Sequence, residues 1–305
     1  MNYFWRLFLC LVLAFLLNCS TNSAYSLPIV KTQITASDFL SLGVSNMQSG
    51  NYLEAIENFN QALELQSDFA VAYSDRCQAH LQLQDYHQAV TDCNQAINLA
   101  PDSLEAYLSR GLAEYRQGND SAAIADYNQA IALQPVDFRA YYNRGLARAD
   151  QGNYSQAIAD YNLALTQIPP NTSSFLADIY NDRGLAHLLL QNSSAAILDF
   201  NRAIHLNNQD FRAYFNLGCA EGRNGEHLAA IGNFSQVIKL NPSNASAYLN
   251  RGIAQYRLGY HQGAIADLKK ASEYFENQGN RIAREKTLNL LHKLGQQLQF
   301  VSEIA

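Results

Sequence analysis

The chain of 305 residues has a formal charge of −6 and a pI near 5.6, so it is long enough to bury a large core but too poor in basic side chains to neutralise a phosphate backbone. With 48% hydrophobic and only 16% charged residues it is not a disordered polymer. Six prolines among many Ala, Leu, Gln and Tyr favour helix, because those residues lose little on becoming helical whereas Pro breaks the ladder.

The N-terminal segment stands apart. Arg6 and the amino terminus precede the apolar run Leu7–Leu17, which is short for a bilayer span and suits the h-region of an export signal. Residues 1–26 therefore read as a signal peptide or membrane anchor and 27–35 as a short linker, which places the chain in an exported compartment (periplasm or thylakoid lumen) or on a membrane by its N-terminus. Ala24-Tyr25-Ser26 offers small residues to a signal peptidase. Leu16-Leu17-Asn18-Cys19 resembles a lipobox that would lipidate Cys19, although Asn18 departs from the small residue expected there. An uncleaved anchor is the third possibility.

Beyond the leader the sequence repeats. Gly43, Cys77, Gly111 and Gly145 recur every 34 residues, and after one step of 39 so do Gly184, Gly218 and Gly252. This defines seven units: 36–69, 70–103, 104–137, 138–171, 177–210, 211–244 and 245–278. Counting each from 1 to 34, position 4 is aromatic throughout (Phe39, Tyr73, Tyr107, Tyr141, Tyr180, Tyr214, Tyr248) and position 20 is always Ala. Position 24 is aromatic in five units, position 27 is Ala in six, and position 32 is Pro in four. Small residues at 8, 20 and 27 let two helices approach closely, and rings at 4 and 24 fill the space between them. This pattern resembles the tetratricopeptide repeat (TPR). The resemblance implies an all-α fold, a right-handed superhelical solenoid of seven helical hairpins, here with a C-terminal capping helix in 279–305 where Ile282, Leu290, Leu291, Leu294 and Leu298 follow helical spacing. Pro169-Pro170 and the five added residues 172–176 lengthen the connection between units four and five, where the stack could bend.

Departures from the family pattern point to specific contacts. Position 7 is Arg76, Arg110, Arg144, Arg183 and Arg251 in five units, and the same five carry Asp92, Asp126, Asp160, Asp199 and Asp267 at position 23. The two units with Leu42 or Leu217 at position 7 have Asn58 and Asn233 at 23, so each Arg is expected to meet its Asp across the hairpin as a structural pair. The second unit alone has Cys77 at position 8 and Cys93 at 24, which face each other in the family. An exported chain could join them by a disulfide; two free thiols acting as small core residues is the preferred reading.

Catalytic chemistry is not visible. The histidines show no metal spacing, Gly222-Arg223-Asn224-Gly225 follows no strand, and no Ser lies in a GxSxG turn, so the chain reads as a non-enzyme without cofactor or metal. The resemblance instead implies a concave groove lined by positions 2, 5, 6, 9, 12 and 13, holding an extended or helical segment of another protein. The Lys and Asn residues of a chaperone-tail clamp are missing from positions 5 and 9. Arg212, Arg223 and Arg257 are expected to converge beside Phe215 and Tyr256 with Asn216 and Asn250, a setting for an acidic or C-terminal peptide between units six and seven, with a second site near Arg139, Tyr142, Asn143 and Tyr115. The functional expectation is a non-enzymatic scaffold of an exported compartment. The alternative is a membrane-anchored or lipidated assembly factor for a photosystem or envelope complex; nucleic acid is excluded and the membrane is reached only through the N-terminus.

Overall fold

The computed structural model describes residues 34–169 and 172–304, without the side chains of 173, 174 and 297–304; the leader with Cys19, Asn171 and the side chain of Leu298 lie outside the described residues. Fifteen helices follow one another among the described residues: α1 Ala36–Gln48, α2 Tyr52–Leu65, α3 Ala70–Gln82, α4 Tyr86–Leu99, α5 Leu104–Arg116, α6 Asp120–Leu133, α7 Phe138–Asp150, α8 Tyr154–Gln167, α9 Ser173–Leu189, α10 Ser193–Leu206, α11 Phe211–Arg223, α12 His227–Leu240, α13 Ala245–Arg257, α14 His261–Asn277 and α15 Arg281–Ile304. Helices α1 to α14 pair as hairpins, each second helix packs on the first helix of the next hairpin, and successive first helices also touch. The first helices thus form one continuous face of the stack.

Five of the hairpins close because a glycine at position 8 makes room for the ring at 24, and in unit seven Gly252 faces Leu268 instead. A Cβ on Gly43, Gly111 or Gly145 would lie 2.4, 2.7 or 2.6 Å from a ring carbon of Phe59, Tyr127 or Tyr161. Around these rings the alanines at 20 and 27 are fully buried, as Ala123, Ala130, Ala157 and Ala164 show. In unit two the sulfurs of Cys77 and Cys93 are bonded, with Cα atoms 5.6 Å apart, in place of the two free thiols preferred from sequence. The cross-link fills the gap that a ring fills elsewhere. The turn inside each hairpin uses a residue with positive φ, glycine in five units and Gln84 (61°) and Gln191 (63°) in the other two.

The five residues added after unit four do not open a loop. They extend α9 at its N-terminus, and Phe175 packs edge-on against Phe138 of α7 with ring centroids 5.6 Å apart. At the C-terminus, α15 covers the last hairpin through Ala283, Thr287, Leu290, Leu291 and Leu294, with Thr287 and Leu294 almost wholly buried. Ile282, placed on that face from sequence, instead points to solvent at 70% exposure, because Ala283 takes the inward position of the first turn.

Candidate partner-binding groove

A ladder of polar contacts fixes the register of the hairpins. In all five Arg/Asp units the guanidinium donates through Nε and Nη2 to the two carboxylate oxygens: 2.8 and 2.6 Å for Arg76–Asp92, 2.9 and 2.6 Å for Arg110–Asp126, 3.0 and 2.7 Å for Arg144–Asp160, 2.8 and 2.6 Å for Arg183–Asp199, 2.7 and 2.8 Å for Arg251–Asp267. Each arginine also lies over the tyrosine three residues before it, as Arg110 does over Tyr107 with its central carbon 5.6 Å from the ring centroid. A third contact reaches backwards between units. Nη1 donates to position 25 of the preceding unit: Asn60 from Arg76, Asn94 from Arg110, Asn128 from Arg144, Asn162 from Arg183 and Ser235 Oγ from Arg251. The Arg183–Asn162 bond spans the five-residue insertion unchanged at 2.6 Å, so the stack keeps its register there. Burial pushes the Asp126 carboxyl up, and the hydrogen bonds from Arg110 pull it back down.

The face of the first helices carries the expected groove residues, and the structure rearranges them. Arg212 and Arg223 sit at opposite ends of α11, eleven residues apart, or roughly 16 Å along a helix. They do not converge. Arg212 donates to Asp178 at 2.8 Å and to its own N-cap residue Asp210 at 2.9 Å, while Arg223 donates to the Leu188 carbonyl at 3.3 Å. Arg139 repeats the first arrangement, bonding Glu105 at 2.6 and 3.1 Å and Asp137 at 2.6 Å. Held in this way, Arg139 and Arg212 have their guanidinium pKa pushed further up by the flanking carboxylates and are already occupied by carboxylates of this chain. The expectation of an acidic segment therefore loses two of the four arginines it rested on. Asn216 donates to Asn181 at 3.0 Å, Phe215 packs edge-on against Phe234, Asn250 is half-buried on α13, Arg257 is exposed at the end of α13, and Tyr256 packs towards the α14–α15 cap.

Two cavities open on this face, both in units two to five. One of about 490 Å³ lies between α3, α5 and α7 and includes Leu81, Leu108, Leu112, Arg116, Arg139 and Asn143. The other, of about 340 Å³, lies between α7 and α9 and includes Leu146, Asp150, Tyr161, Asp182, Leu185 and Leu189. Tyr142 and Tyr115 belong to the second neighbourhood: Tyr142 donates to Asp182 at 2.8 Å and Tyr115 to Asp150 at 2.8 Å. Burial raises Asp182 to about 6, against which the Tyr142 and Asn181 hydrogen bonds work, and burial alone raises Asp75 of α3 to about 6. Among the described residues no group of three or more acidic, histidine or cysteine side chains could hold a metal ion.

The raised Asp182 has a consequence for stability. Well below pH 3.8 its carboxyl is neutral in both folded and unfolded chains and contributes nothing to the difference. Between pH 4 and 6 the unfolded carboxyl ionises first, and above 6 the folded state bears the full cost. Asp182→Asn keeps an acceptor for Tyr142 and removes that cost, so a melting temperature about 2–5 °C above wild type is expected at pH 7.5 and almost none of that gain at about pH 3. Thermal melts across that range check it; an equal shift at both pH values would exclude ionisation as the cause.

Known families and structures fit this architecture. Models described as TPR repeat match residues 111–152 and 223–259, and models described as tetratricopeptide repeat match 40–102, 138–171 and 245–278. Among curated protein sequences none matches the chain. Its fold is similar to that of YrrB, a TPR protein with an unusual peptide-binding site (22% identity, TM-score 0.54, covering 65% of this chain and 97% of that one). MamA is similar over 56% of this chain and 96% of its own, at 26% identity and a TM-score of 0.51. A tetratricopeptide repeat protein from Parabacteroides merdae ATCC 43184 is similar over 83% of this chain and 98% of its own, at 16% identity and a TM-score of 0.62. With the repeat signature, the hairpin stack and these matches in hand, the chain belongs to the tetratricopeptide repeat proteins.

Proposed function

We propose that the chain is a non-enzymatic scaffold that holds an extended or helical segment of another protein along the face of its first helices, over units two to five. The observation that carries this reading is the pair of cavities on that face, which share α7 and are floored by Leu81, Leu108, Leu112, Leu146, Leu185 and Leu189. Apolar side chains that converge on a concave surface with a few polar groups between them suit a peptide whose side chains enter alternate pockets. Peptide binding by the structurally similar YrrB supports the reading.

We place this scaffold in an exported, oxidising compartment. Support comes from the Cys77–Cys93 cross-link, since buried disulfides persist where thiols are not kept reduced, and from the leader composition.

The test compares partner retention by immobilised wild-type chain with retention by two variants. Leu185 is 39% exposed in the groove and Leu198 is 53% exposed on the second helix α10. Leu185→Asn should lower retention about tenfold or more by replacing apolar contact with a buried amide, and Leu198→Asn should leave it unchanged. Equal retention by both variants would move the binding surface elsewhere.

A further inference from the structure

We propose that the cavity between α7 and α9 receives a cationic side chain, a lysine or arginine, of the segment bound in the groove; the proposal rests on the groove reading above and assigns its chemistry. Two carboxylates, Asp150 and Asp182, line this cavity, and no Lys or Arg does. Each accepts a hydrogen bond from one tyrosine hydroxyl, Tyr115 to Asp150 and Tyr142 to Asp182, and Asp182 also accepts from Asn181 at 3.2 Å. The donors on both carboxylates are neutral, and neither carboxylate forms an ion pair among the described residues, Arg212 acting on Asp182 only from a distance. The groove arginines Arg139 and Arg212, by contrast, each have two carboxylates of this chain on them.

A second observation points to a ligand. Tyr161 lines the cavity, is 1% exposed, and its hydroxyl makes no hydrogen bond among the described residues. Packing does not require that hydroxyl, because Phe59, Phe200 and Phe234 occupy the same repeat position and press on their glycines in the same way. The hydroxyl opens onto the cavity without a partner from the described residues, so a ligand seated there can supply one. Burial and then the charges of Asp182 and Asp150 hold the Tyr161 phenol in its protonated form. An ammonium or guanidinium placed here would meet two carboxylates and the Tyr161 ring, with the Leu146, Leu185 and Leu189 side chains around its methylene stem. About 340 Å³ accommodates one such side chain and leaves the peptide backbone at the mouth. The chain's net charge of −6 also favours approach of a basic segment.

The experiment uses the full chain and three fluorescent peptides, acetyl-Ala-Leu-X-Leu-Ala-amide with X as lysine, norleucine or glutamate, read by anisotropy at low salt. Lysine should bind about tenfold tighter than norleucine, and glutamate weakest. Asp182→Asn should erase the lysine preference, and Tyr161→Phe should weaken the lysine peptide about threefold or more without lowering the melting temperature. A lysine affinity equal to or below that of norleucine or glutamate, or a preference that survives both variants, overturns the proposal. Leu185→Asn, which removes apolar contact without adding charge, separates the two levels: if it abolishes equal binding of all three peptides, the groove stands and the cation site falls. If it leaves lysine binding untouched, or if no peptide binds, the assignment of this cavity falls with the groove reading over units four and five.

Discussion

Asp126→Ala is expected to cost about 3 kcal/mol or more, read as a lower urea midpoint of the whole chain, because Asp126 is 5% exposed and its loss strands the half-buried Arg110 guanidinium. The double change Arg110→Leu with Asp126→Asn should cost about 1 kcal/mol or less, although it alters more atoms. Unit six already contains that arrangement. There Leu217 is buried at position 7, Asn233 donates to Glu221 at 2.7 Å, and Asn201 of the preceding unit folds back onto the Ile197 carbonyl. Unit three has Glu114 where unit six has Glu221, so an Asn at 126 finds the same acceptor, and Asn94, released from Arg110, can fold back as Asn201 does. Asp160 would be a poorer choice for this comparison, since Arg148 also donates to it at 2.7 Å and would be stranded by both variants. Equal losses in the single and double variants would mean that the pair acts only through volume.

The second large effect concerns unit two. Cys77→Ala with Cys93→Ala removes a cross-link between residues 16 apart, about 3 kcal/mol on chain-entropy grounds, and leaves a void where two sulfurs were fully buried, about 1 kcal/mol more. Cys77→Gly with Cys93→Phe should recover the void part, because Gly43–Phe59, Gly184–Phe200 and Gly218–Phe234 fill the same space in other units. Thermal or urea unfolding, with and without reductant, checks both. Reduction should bring the wild type down towards the alanine variant and leave the Gly/Phe variant unmoved. Two variants of equal stability would show that the disulfide and the ring are not interchangeable fillings.

The hairpins were legible because their spacing is written seven times, and the Arg–Asp rungs because two exceptions changed together. The asparagine at position 25 escaped notice for the opposite reason. Asn60, Asn94, Asn128, Asn162 and Asn201 are present whether or not the next unit offers an arginine, and the one change, to Ser235, still precedes an arginine, so no coupled variation revealed the bond between units. The groove arginines misled because a cation reads as available until its neighbours are placed. The signal existed, since Asp137-Phe138-Arg139-Ala140-Tyr141 recurs as Asp210-Phe211-Arg212-Ala213-Tyr214, each with an acidic residue 34 positions before its arginine. Tyr142 and Asp182, 40 residues apart across the insertion, stand at positions 5 and 6 of neighbouring units as Asn181 and Asn216 do, a pairing that shows only when adjacent first helices lie side by side.

The bond from arginine to position 25 of the preceding hairpin is missing at one junction only among those described, between units five and six, where Leu217 stands in place of arginine. Units three, four and five are joined both by this rung and by groove-side bonds such as Arg139 to Glu105 and Tyr142 to Asp182, whereas here the groove-side bonds stand without the rung: Asn216 to Asn181, Arg212 to Asp178, and Arg223 to the Leu188 carbonyl. Elsewhere a bound segment can lie over a stack whose rungs run behind it. At this seam the groove surface and the polar clasp between neighbours are the same atoms, so a substitution that clears the groove face there also loosens the array. A quasi-one-dimensional protein passes cooperativity only through its nearest-neighbour interfaces, and between units five and six the polar part of that interface lies on the groove side.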